Sequence, residues 1–251
     1  MLDSGAIQCG YHGWTYAPDS GRLIDIPNLK SDRKFPPIYR AKTFGVQESG
    51  GFVRVCLDPK AIAPALGGDV LPDSGVETIA LDHRNYVDAL LDDPSLVIGI
   101  RGVRFTTYLF EEVKEKDGRL MLERSCQWSS NKWPASFSAE FPLAAVFSVE
   151  PETGQCDILL RDSAMAPILR ISLAPVPAAR GTTQVRWRAK KEDGLSGIRG
   201  KILGVGTPLT VRSHVDAEKL RMLRPSVSDR AAQLRDEMTG DPAPENADAA
   251  A

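Results

Sequence analysis

The middle of the chain carries the alternating or continuous apolar pattern of β-strands. Alternation with a period of two places every second side chain on one face of a sheet. Polar turns such as 116–118 and 152–154, both ending in glycine, separate these segments and favour antiparallel pairing. The predicted strands are residues 103–113, 119–128, 137–150, 156–173 and 182–189.

Helical spacing is found on both sides of this strand region. Between Asp82 and Asp93, apolar residues at 86, 87, 90 and 91 predict a helix with one buried stripe. A last long helix is predicted with Asp216 at its start and helical spacing at 217–224, and a further helical segment follows, for which Ser228 is the expected N-cap. An antiparallel sheet with helices packed on one side is an α+β domain.

The first 60 residues predict a separate, small antiparallel β unit. Residues 6–8 form a strand that enters a turn rich in glycine and aromatic residues, and a hairpin turn at 19–22 leads into a strand at 23–27. A later strand at 51–57 closes the unit. The expected organisation is this unit at 1–60, a Pro- and Gly-rich linker at 61–80, the α+β domain at 81–238 and a disordered tail at 239–251.

Composition narrows the class of protein. With 251 residues, 42% of them hydrophobic, the chain can bury one substantial core and a smaller one. Because 31 basic residues balance 33 acidic ones, the chain has no excess of positive charge that would attract nucleic acid or a membrane surface. No apolar run approaches the roughly 20 residues that span a bilayer. The cysteines at 9, 56, 126 and 156 show no disulfide spacing, so we expect a cytoplasmic protein with the last three as core residues.

The most informative string is Cys9-Gly10-Tyr11-His12-Gly13-Trp14. A thiolate and an imidazole three residues apart in a turn can offer sulfur and nitrogen to one metal centre. A closed zinc site needs two more such donors, and none lies in residues 1–8. The string therefore indicates half of a metal site, with a plain β-hairpin as the alternative for an isolated pair of this kind.

Together with the hairpin and strands that follow it, this string resembles the second ligand segment of a Rieske [2Fe–2S] domain. In that family a Cys-x-His pair comes first, and each pair supplies one ligand to each iron. The resemblance implies that Cys9 and His12 are cluster ligands and that Tyr11 and Trp14 pack beside the cluster. Because the first pair is missing, we expect a cut chain start and a cluster only if an upstream Cys-x-His exists. Arg54 stands where the family usually has Trp.

The second domain resembles the catalytic domain of vanillate- and dicamba-type demethylases. The resemblance rests on the string from Asp88 to Ser95 and implies a mononuclear iron held by two histidines and one carboxylate. Ser95 and Ile100 occupy the two histidine positions, and Asp216 occupies the carboxylate position. Asp92 matches the residue that carries electrons between subunits. Because both imidazoles are replaced, we do not expect mononuclear ferrous iron in this chain.

The carboxylates and the other histidines also have simpler explanations. Asp92 is alternatively a solvated or capping residue at a helix end, and Asp216 is favoured at a helix start by the helix dipole alone. His83 lies roughly 13 Å from Asp92 along one helix, too far to share a metal. His214 has no third ligand of known position, so we expect both histidines to be surface or capping residues.

Three functions remain open at this point. The resemblance implies an oxidoreductase component that uses O2 to hydroxylate or demethylate an aromatic or apolar small molecule, with a reductase or ferredoxin as electron donor and a homotrimeric assembly. Because ligands are missing, this chain is expected to be inactive alone. The alternatives are a non-catalytic partner of a complete paralogue and a pseudoenzyme that binds a small molecule without reacting.

Overall fold

A computed structural model describes residues 1–29, 34–57, 69–128, 142–192, 208–223 and 227–239. The chain divides into two compact units, Met1–Val70 and Leu71–Ala251. None of the described helices has the length and apolarity needed to cross a bilayer. The tail predicted to be disordered lies outside the described residues, except for residue 239.

The first unit is built from short antiparallel strands. One sheet has the order β1 (Ile7–Gln8), β2 (Thr15–Tyr16) and β3 (Leu23–Asp25), and a second pairs β4 (Gly45–Ser49) with β5 (Phe52–Cys56). The β2–β3 turn is closed by the Ala17 amide, which donates to the Arg22 carbonyl at 2.9 Å. The hairpin turn and the strands predicted around 23–27 and 51–57 are therefore confirmed.

The second unit is dominated by one antiparallel sheet of ten strands. Along the sheet the order is β15-β7-β8-β10-β11-β12-β13-β14-β6, with β9 paired to β10. Its strands are β6 (Asp73–Ile79), β7 (Ile98–Ile100), β8 (Val103–Leu109), β9 (Lys114–Lys116), β10 (Arg119–Trp128), β11 (Pro142–Val149), β12 (Cys156–Arg161), β13 (Pro167–Pro177), β14 (Thr183–Lys191) and β15 (Leu209–Val211).

Three described helices accompany this sheet. They are α1 (His83–Asp92), α2 (Ala217–Arg221) and α3 (Val227–Thr239), and a 3₁₀ turn at Pro94–Leu96 follows α1. Asp82 caps α1 through its side chain, which accepts a hydrogen bond from the Asn85 amide at 3.1 Å. The α+β class predicted from the periodicities is confirmed.

The core lies between one face of the sheet and the helices. Alternate residues of β10 are buried, as the period of two requires, and their neighbours are partly covered. Helix α1 adds side chains that are almost fully buried, and Val227, Ala231 and Leu234 of α3 join the same cluster. The α1 members are Tyr86, Val87, Ala89, Leu90 and Leu91.

The sheet curls until its two end strands are tied together. The Glu77 carboxylate on β6 accepts a hydrogen bond from the Val211 amide on β15 at 2.7 Å and one from Trp187 Nε1 on β14 at 3.4 Å. Just beyond both strands, the Ala80 amide donates to the Ser213 carbonyl at 3.0 Å. These contacts satisfy backbone groups that an open sheet edge would leave unpaired.

Four sequence expectations need correction. The segment 156–173 is two strands, because Asp162 makes a turn in which its Oδ1 accepts from the Ala164 and Ala166 amides. Residues 73–79, within the range predicted as a linker, form the end strand β6. The long helix expected from Asp216 through 217–224 is the five-residue α2, and Ser228 lies in the first turn of α3 rather than before it.

We expect Gly154→Ala to lower the free energy of unfolding by about 3 kcal/mol, and Gly118→Ala by about 1 kcal/mol. Both glycines have positive φ, +70° and +72°. A Cβ at 154 would lie 2.4 Å from Val87 Cγ2 on α1, whereas one at 118 meets nothing within 4 Å. Urea unfolding measures both losses. Equal losses would show that α1 does not pack on this turn as described.

Candidate functional site

The Cys9–Trp14 turn is closed by two backbone hydrogen bonds. The Cys9 amide donates to the Trp14 carbonyl at 2.8 Å, and the Gly13 amide donates to the Cys9 carbonyl at 2.9 Å. Gly13 has φ +71°, and a Cβ there would lie 2.7 Å from Pro27 Cγ, so this position requires glycine. The turn thus has a defined shape and presents its side chains on the surface.

The chemistry of the turn centres on Cys9 and His12, which are both exposed. The backbone N–H groups of Tyr11 and His12 hydrogen-bond to the thiol and lower the pKa of Cys9. A thiolate is the form that binds metals, so these amides prepare Cys9 as a ligand. The Tyr11 ring packs on the His12 ring with centroids 4.0 Å apart, and 85% of Tyr11 is exposed.

These donors fit one half of a Rieske ligand set. Cys9 would supply a thiolate and His12 an imidazole, while the first Cys-x-His pair occurs nowhere in the 251 residues. Within the described ranges no three His, Cys, Asp or Glu side chains group together as metal ligands. The roles of Cys9, His12, Tyr11 and Trp14 at a cluster stay predictions.

The three positions matched to the mononuclear iron site have other structural tasks. Ser95 Oγ donates to Asp93 Oδ1 at 2.6 Å within the 3₁₀ turn. Ile100 is 4% exposed and pairs with Leu209 and Val103 in the sheet. Asp216 caps α2, its Oδ1 accepting from the Glu218 amide at 3.0 Å. These residues do not fit an iron site of the family type.

Asp92 is buried and joins two helices. Its Oδ1 accepts from the Val227 and Ser228 amides at 3.0 and 3.3 Å, and its Oδ2 accepts from the Ser228 hydroxyl. The last residue of α1 therefore caps the N-terminus of α3, where a negative charge is favoured. The capping role expected for Asp92 at a helix end is thus found on another helix, α3, and not on its own. The electron-transfer role of Asp92 stays a prediction.

A buried arginine lies beside this junction. Arg124 of β10 is 1% exposed; its Nη2 donates to the Leu91 carbonyl near the end of α1, and its Nη1 donates to the Thr107 carbonyl at 3.5 Å. Burial lowers the pKa of Arg124, and the carboxylates of Asp92 and Asp93 oppose that shift. Sequence reasoning missed Arg124 because it occupies an inward position of a strand, where the alternation predicts an apolar side chain.

Among the residues that the structure describes, neither histidine of the second unit is grouped with metal ligands. His83 Nε2 lies 3.0 Å from the Thr153 carbonyl, in hydrogen-bond contact with the turn before β12. His214 is exposed, two residues before the cap Asp216. The expectation that both are capping or surface residues agrees with these positions.

A cleft of about 690 Å³ opens beside Ser95. Strands β7 and β8 share one residue pair, Ile100 with Val103, and then diverge as β7 pairs with β15. The cleft occupies the gap between them. Its lining is Asp93, Ser95, Ile98, Gly99, Val103, Arg104, Phe105, Thr106, Thr107, Tyr108, Gln127 and Arg212.

Comparison with known proteins places these features in context. No family model matches the sequence. A segment of 87 residues is 28% identical to the oxygenase subunit of 3-chlorobenzoate-3,4-dioxygenase from Comamonas testosteroni, covering 34% of this chain and 20% of that protein. A segment of 60 residues is 35% identical to the chloroplastic protein TIC 55 of Pisum sativum, covering 24% and 11%. The matched segments thus span a fifth or less of these relatives.

Solved structures match over almost the whole chain. Dicamba monooxygenase bound to dicamba superposes with a TM-score of 0.59 at 14% identity, covering 96% of this chain and 79% of that one. Dicamba monooxygenase in a second crystal structure gives a TM-score of 0.55 over 97% and 74%. The chain shares the fold of dicamba monooxygenase. At 14% identity this likeness concerns the fold alone.

The structural roles of Asp92 and Asp216 predict different losses of unfolding free energy when each is replaced by alanine. We expect Asp92→Ala to lower the free energy of unfolding by about 3 kcal/mol, because it uncaps α3 and removes a carboxylate near buried Arg124. Asp216→Ala should lower it by about 1 kcal/mol, because it uncaps only the short α2. Denaturant unfolding monitored by circular dichroism measures both. Similar losses in the two variants would contradict the buried junction.

The thiols should differ in reactivity. Because backbone N–H groups lower the pKa of Cys9, its thiolate persists to lower pH, and its alkylation by iodoacetamide should reach half its maximal rate at lower pH in the folded chain than in urea. Burial raises the pKa of Cys126 to about 12 and also raises that of Cys156, so both should stay unreactive near neutral pH until unfolding. Peptide mapping by mass spectrometry follows each site. A Cys9 midpoint that does not move in urea would contradict the amide contacts.

Proposed function

We propose that the chain is a Rieske oxygenase-like oxidoreductase component that binds a small molecule and does not turn it over alone. The corresponding family reaction is O2-dependent hydroxylation or demethylation of an aromatic or apolar molecule, with electrons from a reductase or ferredoxin. Two points carry the proposal: the chain shares the fold of dicamba monooxygenase, and the sequence resemblance matches Ser95 and Ile100 to the positions of the two iron-binding histidines. We place the protein in the cytoplasm.

The Cys9–His12 turn supports the cluster half of this proposal. Its two donors have the chemistry of a Rieske centre, which supplies one-electron transfer when complete. In this chain the backbone N–H groups of Tyr11 and His12 stabilise the Cys9 thiolate. The side chains of Cys9 and His12 are exposed, so a metal centre that has other ligands could reach them. A complete centre would need a Cys-x-His pair, which these 251 residues do not contain.

The second unit supports binding without iron-dependent chemistry. The Ser95 hydroxyl is committed to Asp93, and Ile100 is part of the core, so neither provides a nitrogen or oxygen ligand. One carboxylate at Asp216 holds ferrous iron far more weakly than two imidazoles and a carboxylate on one face. The cleft beside Ser95 has the volume of an ordinary small-molecule site.

A second candidate is a non-catalytic subunit paired with a complete paralogue. The half ligand set at Cys9 and His12 favours it, because a partner chain could supply metal centres that this chain lacks. In that assembly the retained fold would preserve the subunit contacts. A homotrimer of this chain alone would instead repeat the same half-site in every subunit.

Iron retention tests the proposal directly. We expect the chain, loaded anaerobically with ferrous iron and sulfide and then desalted, to keep well under one equivalent of iron, with no Rieske signal in the reduced EPR spectrum. With a reductase and O2 supplied, substrate-dependent O2 uptake should stay at the baseline, and Asp216→Ala should not change it. Stoichiometric iron that Asp216→Ala removes would overturn the proposal, because that carboxylate would then be a ligand.

A further inference from the structure

The Cys9–His12 turn offers two strong donors but leaves a metal ion half coordinated. The Cys9 thiol and the His12 imidazole are both exposed, and the structure describes no third His, Cys, Asp or Glu grouped with them. The backbone N–H groups of Tyr11 and His12 hydrogen-bond to the Cys9 sulfur, so the turn holds that sulfur in place. A thiolate and an imidazole on one short turn are donor types that zinc takes from proteins.

The backbone of the turn is fixed without any metal. The Gly13 amide donates to the Cys9 carbonyl at 2.9 Å, and the Cys9 amide donates to the Trp14 carbonyl at 2.8 Å. The Tyr11 ring lies against the His12 ring, with centroids 4.0 Å apart and planes tilted by 57°. Both donors therefore leave the same small area of surface. Because little further ordering is needed when they bind one ion, the entropic cost of binding is low.

The surface around this turn is depleted of charge. Residues 4–18 contain no Asp, Glu, Lys or Arg, although 25% of the whole chain is charged. Tyr11 is 85% exposed and Ile7 is 53% exposed, so apolar side chains flank Cys9 on both sides in the sequence. Few charges and exposed aromatic or aliphatic side chains are typical of the centre of a protein interface. A second copy of the chain can approach this surface without repulsion between like charges.

A two-fold axis through the metal would complete the coordination. One isologous contact between two copies brings two identical donor pairs together. Two thiolates and two imidazoles form the tetrahedron of a closed zinc site, with Zn–S about 2.3 Å and Zn–N about 2.0 Å. Strand β1 leads directly into the turn and is the end strand of its sheet in the described part of the first unit, so no described strand covers that side.

We propose that Cys9 and His12 of two copies of this chain bind one zinc ion between them, in a closed site of two thiolates and two imidazoles. Such a site differs from a Rieske centre, because both donors of one chain bind the same ion and no bridging sulfide is present. It does not rest on the proposed function, since zinc has no redox chemistry and the site needs nothing from the second unit. Its role is to join two copies.

Zinc titration of the full, metal-free chain tests the proposal. We expect the mass measured by light scattering after gel filtration to rise from 27.3 kDa to about twice that value as zinc is added. The rise should be complete at one zinc per two chains, and EDTA should reverse it. Cobalt(II) in place of zinc should give the visible d–d bands of a tetrahedral ion and the near-ultraviolet charge-transfer band of thiolate ligation.

Two ligand variants and two matched controls locate the site. Cys9→Ser and His12→Gln should each lower the affinity for zinc by more than about a hundredfold and keep the mass at 27.3 kDa, because even a residue that only orients a metal ligand is worth about ten- to a hundredfold. Both ligands are exposed, so the fold should survive. Cys56→Ser changes the half-buried thiol of the same unit, and His214→Gln changes an exposed imidazole of the other unit; both should leave zinc binding unchanged.

Three results would overturn the proposal. They are one zinc per chain with no change in mass, zinc binding that survives Cys9→Ser or His12→Gln, and a loss in Cys56→Ser or His214→Gln as large as that in the ligand variants. Failure of the proposed function is seen separately, as stoichiometric iron that Asp216→Ala removes. The two ideas can therefore fail independently.

Discussion

The junction between the end of α1 and the start of α3 determines much of the second unit. Asp92 holds the Val227 and Ser228 amides, and Arg124 holds the Leu91 carbonyl from the sheet side. A carboxylate at one helix start and a guanidinium at another helix end each oppose a helix dipole, and together they offset the cost of burying two charges. The junction sets the end of α1. It therefore also positions Asp93 and Ser95, which follow that end and line the cleft.

The closure of the sheet positions the other wall of the cleft. Because Glu77 ties β6 to β15, the end strand β15 is held in place, and it keeps β7 beside it. Strand β7 pairs with β15 over three residues and with β8 at one, Ile100 with Val103. Residues of both strands beyond that single pair line the cleft. Arg212 directly follows β15, so the contact that holds β15 in place also positions Arg212.

Much of the fold could be predicted from periodicity, and the failures have physical causes. The α1 stripe and strand β10 were predicted with nearly correct ends, because each has a clear period and strong boundary signals. The turn at Asp162 was missed because it lacks glycine and depends on a side chain that accepts two amides. Strand β6 was missed because its sequence, including Gly75, is that of a linker, although Gly75 leaves room for the ring of Trp187. The cleft was missed because its arginines are 108 positions apart and neither belongs to a motif.

The surroundings of Ser95 and Ile100, the two positions matched to the iron-binding histidines, do not suit an imidazole. The Ser95 hydroxyl donates to the Asp93 carboxylate within a turn, so a ligand side chain at 95 would remove that hydrogen bond. Ile100 is buried in a strand between two others, and an imidazole there would lose its hydration with no described polar partner. Restoring two histidines would therefore not restore a metal-binding face. Positive charge at Arg104 and Arg212 further disfavours a cation in the cleft, because like charges repel across a partly desolvated space.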